Sequence, residues 1–323
     1  MSFDFEKFVS TYFVHQETID FYKARSQDNV KPYYEVGVEE ARKTSLATAL
    51  KYSGNVELDG EEKDIVVPSP YDKDGIPVTL YCPAACDNLP APTILVYFHG
   101  GGNTIGSRKT HVTVCKILAR DSPCIVANVE YRLAPEHKFP ANNDDAKCVV
   151  EWMAANKSVV GGSKESKLGV AGDSAGGRLS AVVSHEAYQL IDFAVLIYPN
   201  VSCRFEHPSV VEFGEGPSLS KLTINWFMEQ YITEKDLDDA RASVIRNKEF
   251  SYLPPTLIIV ADLDTLRDGC YAYYEKLKEA GVKVEMKTVK GVPHAFWSLQ
   301  GAFKETCKEA HGAAVKFIQQ QSA

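Results

Sequence analysis

"KLGVAGDSAGGRLSAVV", Lys167 to Val183, decides how the rest of the chain is read. Its first part, Lys167 to Ala171, is short and apolar and leads into a turn, as a strand buried on both faces does. From Ala175 onward the pattern is helical. At the junction stands Gly172-Asp173-Ser174-Ala175-Gly176, a G-x-S-x-G. A serine on so sharp a strand-to-helix turn has its Oγ pushed out above the sheet, and Gly172 and Gly176 flank it because side chains would clash there. Glycine and serine are common, so the pentapeptide alone is a weak signal. The strand before it and the helix after it make it a strong one.

Seven further apolar runs surround this one: "DIVVP", "PVTLYC", "ILVYF", "CIVANVEYR", "FAVLIYP", "TLIIVAD" and "KVEMKTV". The last six of the eight strands lack clean alternation and are expected to be buried on both faces. Helical patterns lie between several of them, one lined by Ala146, Val149, Val150 and Met153, another by Leu266, Cys270, Tyr273 and Leu277. Strands alternating with helices predict an α/β fold: an eight-stranded, mostly parallel sheet with helices on both faces. In such sheets chemistry gathers at the carboxyl ends of the strands.

Two segments stand outside the alternation. Phe5, Phe8, Tyr12, His15, Ile19 and Tyr22 recur at steps of three and four, which predicts one amphipathic helix. Val201 to Leu253 holds turn-rich stretches and a helical pattern through Leu222, Trp226 and Met228. We expect a single domain over 1–323, with a helical cap built from about 1–55 and about 201–253.

The run "ILVYF" leads into "HGGGNTIGS", His99 to Ser107. Ordering three consecutive glycines is entropically costly. Acyl transfer supplies a reason, because its tetrahedral oxyanion needs donors already in place. Gly101 and Gly102 are expected to offer two N–H groups, and Ala175, at the start of a helix, a third. A phosphate cradle would need a different glycine spacing.

A serine nucleophile needs a base. His294, in "GVPHAFW", follows the last strand. A third group must orient it, and "IIVADLDTLRD" supplies Asp262, Asp264 and Asp268 after another strand. Serine, then aspartate, then histidine is the chain order of α/β-hydrolases and not of the chymotrypsin or subtilisin types.

The net charge of -8 without a basic tract argues against nucleic acid and anionic membranes. No secretory signal is read at the N-terminus, and no apolar stretch reaches the roughly 20 residues of a membrane span. The eight cysteines are dispersed, with no CxxC and no metal-ligand spacing. They read as reduced thiols of a cytoplasmic protein.

From about Thr93 to Ala314 the chain resembles the hormone-sensitive-lipase-like esterases, which include arylacetamide deacetylases. The resemblance rests on "YFHGGGNTIGS", "YRLAPEHKFPA", "GDSAGG", "EGPSLS", "LPP", "DTLRD" and "VPHAF". It implies an α/β-hydrolase fold and a cofactor-free carboxylic-ester or amide hydrolase acting on a small molecule. It implies Ser174 as nucleophile, Asp264 as acid and His294 as base. His99, Gly100 and Asp173 are then supporting structure. The substrates expected are short- to medium-chain esters, cleaved through an acyl-enzyme. Relatives often pair as homodimers through the last strand, here near Val284 to Val289. Amidase or deacetylase activity is an alternative. So is a binding role, as in plant hormone receptors that keep the fold but lose the histidine, although His294 is present here. Asn103 replaces a large apolar residue, Arg178 an asparagine and Thr265 a proline of the family pattern.

Overall fold

The computed structural model describes residues 4–216 and 219–323. Met1 to Phe3 of the N-terminal reading, and Pro217 and Ser218 of "EGPSLS", lie outside the described residues.

The eight apolar runs form one eight-stranded sheet. In chain order its strands are β1 (Gly60–Val67), β2 (Ile76–Pro83), β3 (Ile94–Phe98), β4 (Ile125–Val129), β5 (Leu168–Asp173), β6 (Phe193–Ile197), β7 (Thr256–Leu263) and β8 (Val284–Pro293). Their spatial order is β1-β2-β4-β3-β5-β6-β7-β8. β2 is antiparallel to both β1 and β4, and the remaining neighbours are parallel. β3 to β6 are buried along their whole length, and so is nearly all of β7. That burial explains their unbroken Val and Ile content.

β8 departs from the expectation. Its first half is largely accessible, with Glu285 and Met286 exposed, and only its last residues are buried. Among the described residues it pairs with β7 alone and ends the sheet, with no strand on its outer edge. Lys283, Glu285, Lys287 and Lys290 suit such an edge, where charge discourages further pairing.

The helices are α1 (Phe5–Thr11), α2 (Gln16–Gln27), α3 (Val38–Tyr52), α4 (Val112–Asp121), α5 (Ala141–Ala155), α6 (Ala175–Glu186), α7 (Pro208–Phe213), α8 (Lys221–Tyr231), α9 (Arg267–Glu279) and α10 (Lys304–Ser322). α5 buries Ala146, Val149, Val150 and Met153, and α9 buries Cys270, Tyr273 and Leu277, as their spacing predicts. In α8 the buried face is Thr223, Ile224, Trp226, Phe227 and Tyr231; Leu222 is exposed.

The aromatic stripe at the N-terminus is two helices and not one. The Gly291 carbonyl accepts from the His15 N–H and from the Thr18 hydroxyl, at 3.0 and 2.8 Å. His15 Nδ1 accepts from the Glu17 N–H and caps α2. Anchorage to β8 thus breaks the helix between Tyr12 and His15, a contact no local periodicity encodes. The two halves pack differently. Phe8 and Tyr12 meet Phe213 and Leu263, whereas Phe21 meets Tyr52 and Phe303.

Candidate active site

Five strands deliver the chemistry to one edge. β3 ends at the glycine loop, β5 at Ser174, β6 at Tyr198, β7 at Asp264 and β8 at His294. All are carboxyl ends, where open α/β sheets place their ligands.

Ser174 sits at φ 56°, ψ −115°, a backbone conformation that L-residues avoid. The elbow is held from both sides. The Ser174 N–H donates to the Ile197 carbonyl of β6 at 2.9 Å, and its own carbonyl accepts from Asn200 and Arg178. Gly176 is required by close approach, since a Cβ there would overlap the Phe98 carbonyl oxygen. Strain at Ser174 is therefore imposed by contacts across three strands.

His294 Nε2 lies 2.9 Å from Ser174 Oγ, and His294 Nδ1 lies 2.7 Å from Asp264 Oδ2. Asp264 is almost fully buried, and its second oxygen accepts from the Leu266 N–H at 3.0 Å, with the Thr265 hydroxyl 3.3 Å away. The carboxylate is thus fixed before it meets the imidazole. The Tyr198 ring packs 4.6 Å from that imidazole, centroid to centroid. Of the other two aspartates, Asp262 is drawn away at a register shift between β7 and β8, where it pairs with Lys290 at 3.1 Å. Asp268 opens α9 and pairs with Arg267.

The glycine loop turns back on itself. The Gly101 carbonyl accepts from the Thr104 and Ile105 N–H groups, and Gly101, Gly102 and Asn103 all have positive φ. The Gly101 and Gly102 N–H groups donate to no main-chain acceptor among the described residues. Ala175 is the first residue of α6, so its N–H has no partner within the helix. These three donors remain available to an oxyanion.

A buried network ties this loop to the elbow. Asp173 Oδ1 accepts from the Gly100 N–H at 3.0 Å and from the Tyr97 hydroxyl at 2.8 Å. The Tyr97 hydroxyl in turn accepts from Trp297 Nε1 at 3.0 Å. His111 Nε2 stands 3.1 Å from the same carboxylate. Burial alone would raise the Asp173 pKa, but His111 alongside it and the Tyr97 hydrogen bond leave it below the usual carboxylate value. His99 stacks on Tyr131, and its Nδ1 lies 2.8 Å from the Gly100 carbonyl. Burial, reinforced by His111, pushes the His99 pKa down to about 4, so its ring is neutral at pH 7.

Ser174, Asp264, His294 and the glycine loop thus lie together at this edge of the sheet, whereas Asp262 and Asp268 are paired elsewhere. Tyr97, Tyr198 and Trp297 lie inside stretches that the sequence marks for other reasons, and nothing local assigns them, or His111, a role. Tyr97 and Tyr198 are polar-tipped residues at or just past the ends of apolar strands, and that is the one local signal available. Among the described residues no group of His, Cys, Asp or Glu is arranged to hold a metal ion, and no helix is long and apolar enough to cross a membrane. All eight cysteines are unpaired thiols.

Residues 95–298 match the model of an α/β-hydrolase-fold family. The chain is 33% identical to ethyl acetate hydrolase of Pseudomonas putida over 92% of its own length and 94% of that protein's. It is 37% identical to the carboxylesterase NlhH of Mycobacterium tuberculosis, covering 68% of this chain and 71% of the relative. Among solved structures it is similar to a hyperthermophilic esterase from the archaeon Pyrobaculum calidifontis, with TM-score 0.87, 32% identity and coverage of 95% and 98% of the two chains. It is likewise similar to an α/β-hydrolase from the Lake Arreo metagenome, with TM-score 0.88, 31% identity and coverage of 95% and 98%.

Proposed function

The chain belongs to the α/β-hydrolase family and is a carboxylic-ester hydrolase of it, and from that premise we propose that Ser174, His294 and Asp264 carry the reaction. The observation that carries this reading is the unbroken line from Ser174 Oγ through His294 to Asp264, at 2.9 and 2.7 Å. Ser174 Oγ attacks the acyl carbon while His294 Nε2 takes its proton. Asp264 holds the imidazole by Nδ1 and stabilises its charged form. The tetrahedral oxyanion is received by the N–H groups of Gly101, Gly102 and Ala175. His294 then protonates the departing alcohol, leaving an acyl-serine. Water, deprotonated by the same imidazole, attacks the acyl-serine, and His294 returns that proton to Ser174 Oγ as the acid leaves.

The substrates are small esters of short to medium acyl chain. Two features support this. One relative is named for ethyl acetate. Trp226, Phe227 and Tyr33 cluster with Ile105 directly beyond the glycine loop, a bulky aromatic lining that limits chain length. We read residues up to about 55 and the 201–253 insertion as the cap over this site, because Tyr33 and Ala41 pack on Trp226 and Phe227, and Phe8 and Tyr12 on Phe213. The eight free thiols suit a cytoplasmic setting.

The test is hydrolysis of a p-nitrophenyl ester series, with fluorophosphonate labelling of the folded protein. Ser174→Ala should lose labelling and on the order of 10⁶-fold in kcat, while its melting curve stays close to that of the parent. A Ser174→Ala protein that keeps more than about a tenth of the activity would remove Ser174 as nucleophile.

A further inference from the structure

We propose that Arg178 is a positioning residue for the oxyanion loop and that it acts through Asn103. The proposal rests on the reading of Ser174 as nucleophile.

Arg178 lies one turn into α6, with its N–H on the Ser174 carbonyl at 3.0 Å. Its side chain is completely buried. The guanidinium donates to four neutral acceptors. Nη2 reaches Asn103 Oδ1 at 2.8 Å and the Tyr231 hydroxyl at 2.7 Å. Nη1 reaches the Arg241 carbonyl at 2.7 Å and Asn143 Oδ1 at 3.2 Å. Nε has no partner among the described residues. None of these partners is a carboxylate. A buried cation held by neutral groups alone is costly for stability, and an apolar side chain of similar volume would pack at less cost. Its retention points to a task other than stability.

What it touches indicates the task. Asn103 is the residue after Gly101 and Gly102 and shares their left-handed backbone, at φ 62°. Its side-chain oxygen is clamped twice, by Arg178 Nη2 and by Asn142 Nδ2, each at 2.8 Å. Its main-chain carbonyl accepts from the Ala134 N–H at 2.8 Å. The other Nη2 contact, Tyr231, lies one turn along α8 from Phe227, whose ring rests on Gly102. The guanidinium therefore braces the glycine loop from beneath through Asn103, and braces through Tyr231 the helix that covers the loop. A large apolar residue at 103 could accept neither hydrogen bond, so Asn103 and Arg178 act as a unit.

Three variants of the full chain test this: Arg178→Lys, Asn103→Gly and Asn103→Asp. Glycine suits the positive φ but removes the acceptor, whereas aspartate keeps it. The readouts are kcat and KM on a p-nitrophenyl ester, inhibition by an alkyl boronic acid that forms a tetrahedral adduct on Ser174, and thermal melting. Asn103→Gly should lose about 10²-fold in kcat, the usual effect of a slightly misplaced catalytic group, with KM changed far less. Boronate affinity should fall in step with kcat, because both depend on the oxyanion donors. Arg178→Lys should lower kcat in the same way, and Asn103→Asp should be at least tenfold faster than Asn103→Gly, on the same scale of misplacement. Folded Asn103→Gly and Arg178→Lys proteins that keep kcat within about threefold of the parent would overturn the inference, as would equal losses in Asn103→Gly and Asn103→Asp. Parent enzyme that does not label at Ser174 overturns the nucleophile and this inference together. Unchanged kcat in variants of a parent that does label overturns this inference alone.

Discussion

The ring of Phe227 rests against the α-carbon of Gly102, in the space a side chain at that position would need. One of the proposed oxyanion donors is thus roofed by an aromatic residue of α8. Phe227→Ala should open space above the loop and move the acyl-chain optimum to longer esters. Each added methylene that becomes buried is worth about 0.8 kcal/mol, roughly a fourfold gain in kcat/KM. An unchanged chain-length profile in a folded Phe227→Ala protein would show that this ring does not bound the pocket.

Asp264 and Asp262 should behave differently although only Leu263 separates them. Asp264→Asn removes the carboxylate that orients His294 and should cost roughly 10⁴-fold in kcat. Asp262→Asn disturbs a pair with Lys290 and a long contact from the Gly291 N–H, the pair being of the kind worth about 0.2–1 kcal/mol in stability, and should leave kcat within severalfold. Steady-state kinetics on both variants decide the matter; the reverse order of losses would move the acid to Asp262.

Glu17 caps a helix far from it in sequence. Phe303, the N-cap residue of α10, offers no side-chain acceptor, and the Glu17 carboxylate takes the Glu305 and Thr306 N–H groups at 2.8 and 3.1 Å and the Thr306 hydroxyl at 2.8 Å. Glu17→Ala should lower unfolding free energy by about 1–2 kcal/mol without touching kcat. Urea denaturation measures it, and an unshifted midpoint would show that water replaces the cap at no cost.

Acid should weaken the fold before it dissolves the paired carboxylates. Burial holds the pKa values of His99 and His311 down at about 4 in the native protein, against about 6.5 in the unfolded chain. Between these values the unfolded state binds protons that the native state does not, so stability falls as pH drops from about 6.5 towards 4 and rises in the other direction. Each buried imidazole accounts for a loss on the order of 3 kcal/mol across that window. His311 Nε2 sits 2.9 Å from the Trp297 carbonyl, a bond that glutamine can also donate. His311→Gln should therefore flatten the dependence of melting temperature on pH from 4 to 7; an unaltered slope would mean that other groups set it.

The linear order of residues determined the sheet, the elbow and the loop, because each is written in local physics. Buried strands must be apolar throughout, a strained turn must carry glycines, and both signals lie within a few residues of one another. The order of Ser174, the aspartates and His294 was legible for the same reason, since each follows its own strand. Residue chemistry left Asp262 and Asp264 open and the family resemblance implied Asp264; only the tertiary structure shows what separates them, the 2.7 Å approach of Asp264 to His294 and the register shift between β7 and β8 at Asp262. The break after Tyr12, made by a carbonyl on β8, likewise belonged to the tertiary structure, as did the exposure of β8 itself, which follows from its place at the sheet's end. Arg178 and Asn103 stood out in the sequence as two separate oddities. They meet because Arg178 on α6 and Asn103 in the glycine loop, 75 residues apart, converge beneath the proposed oxyanion site, and the low dielectric of that interior makes their hydrogen bond strong enough to matter.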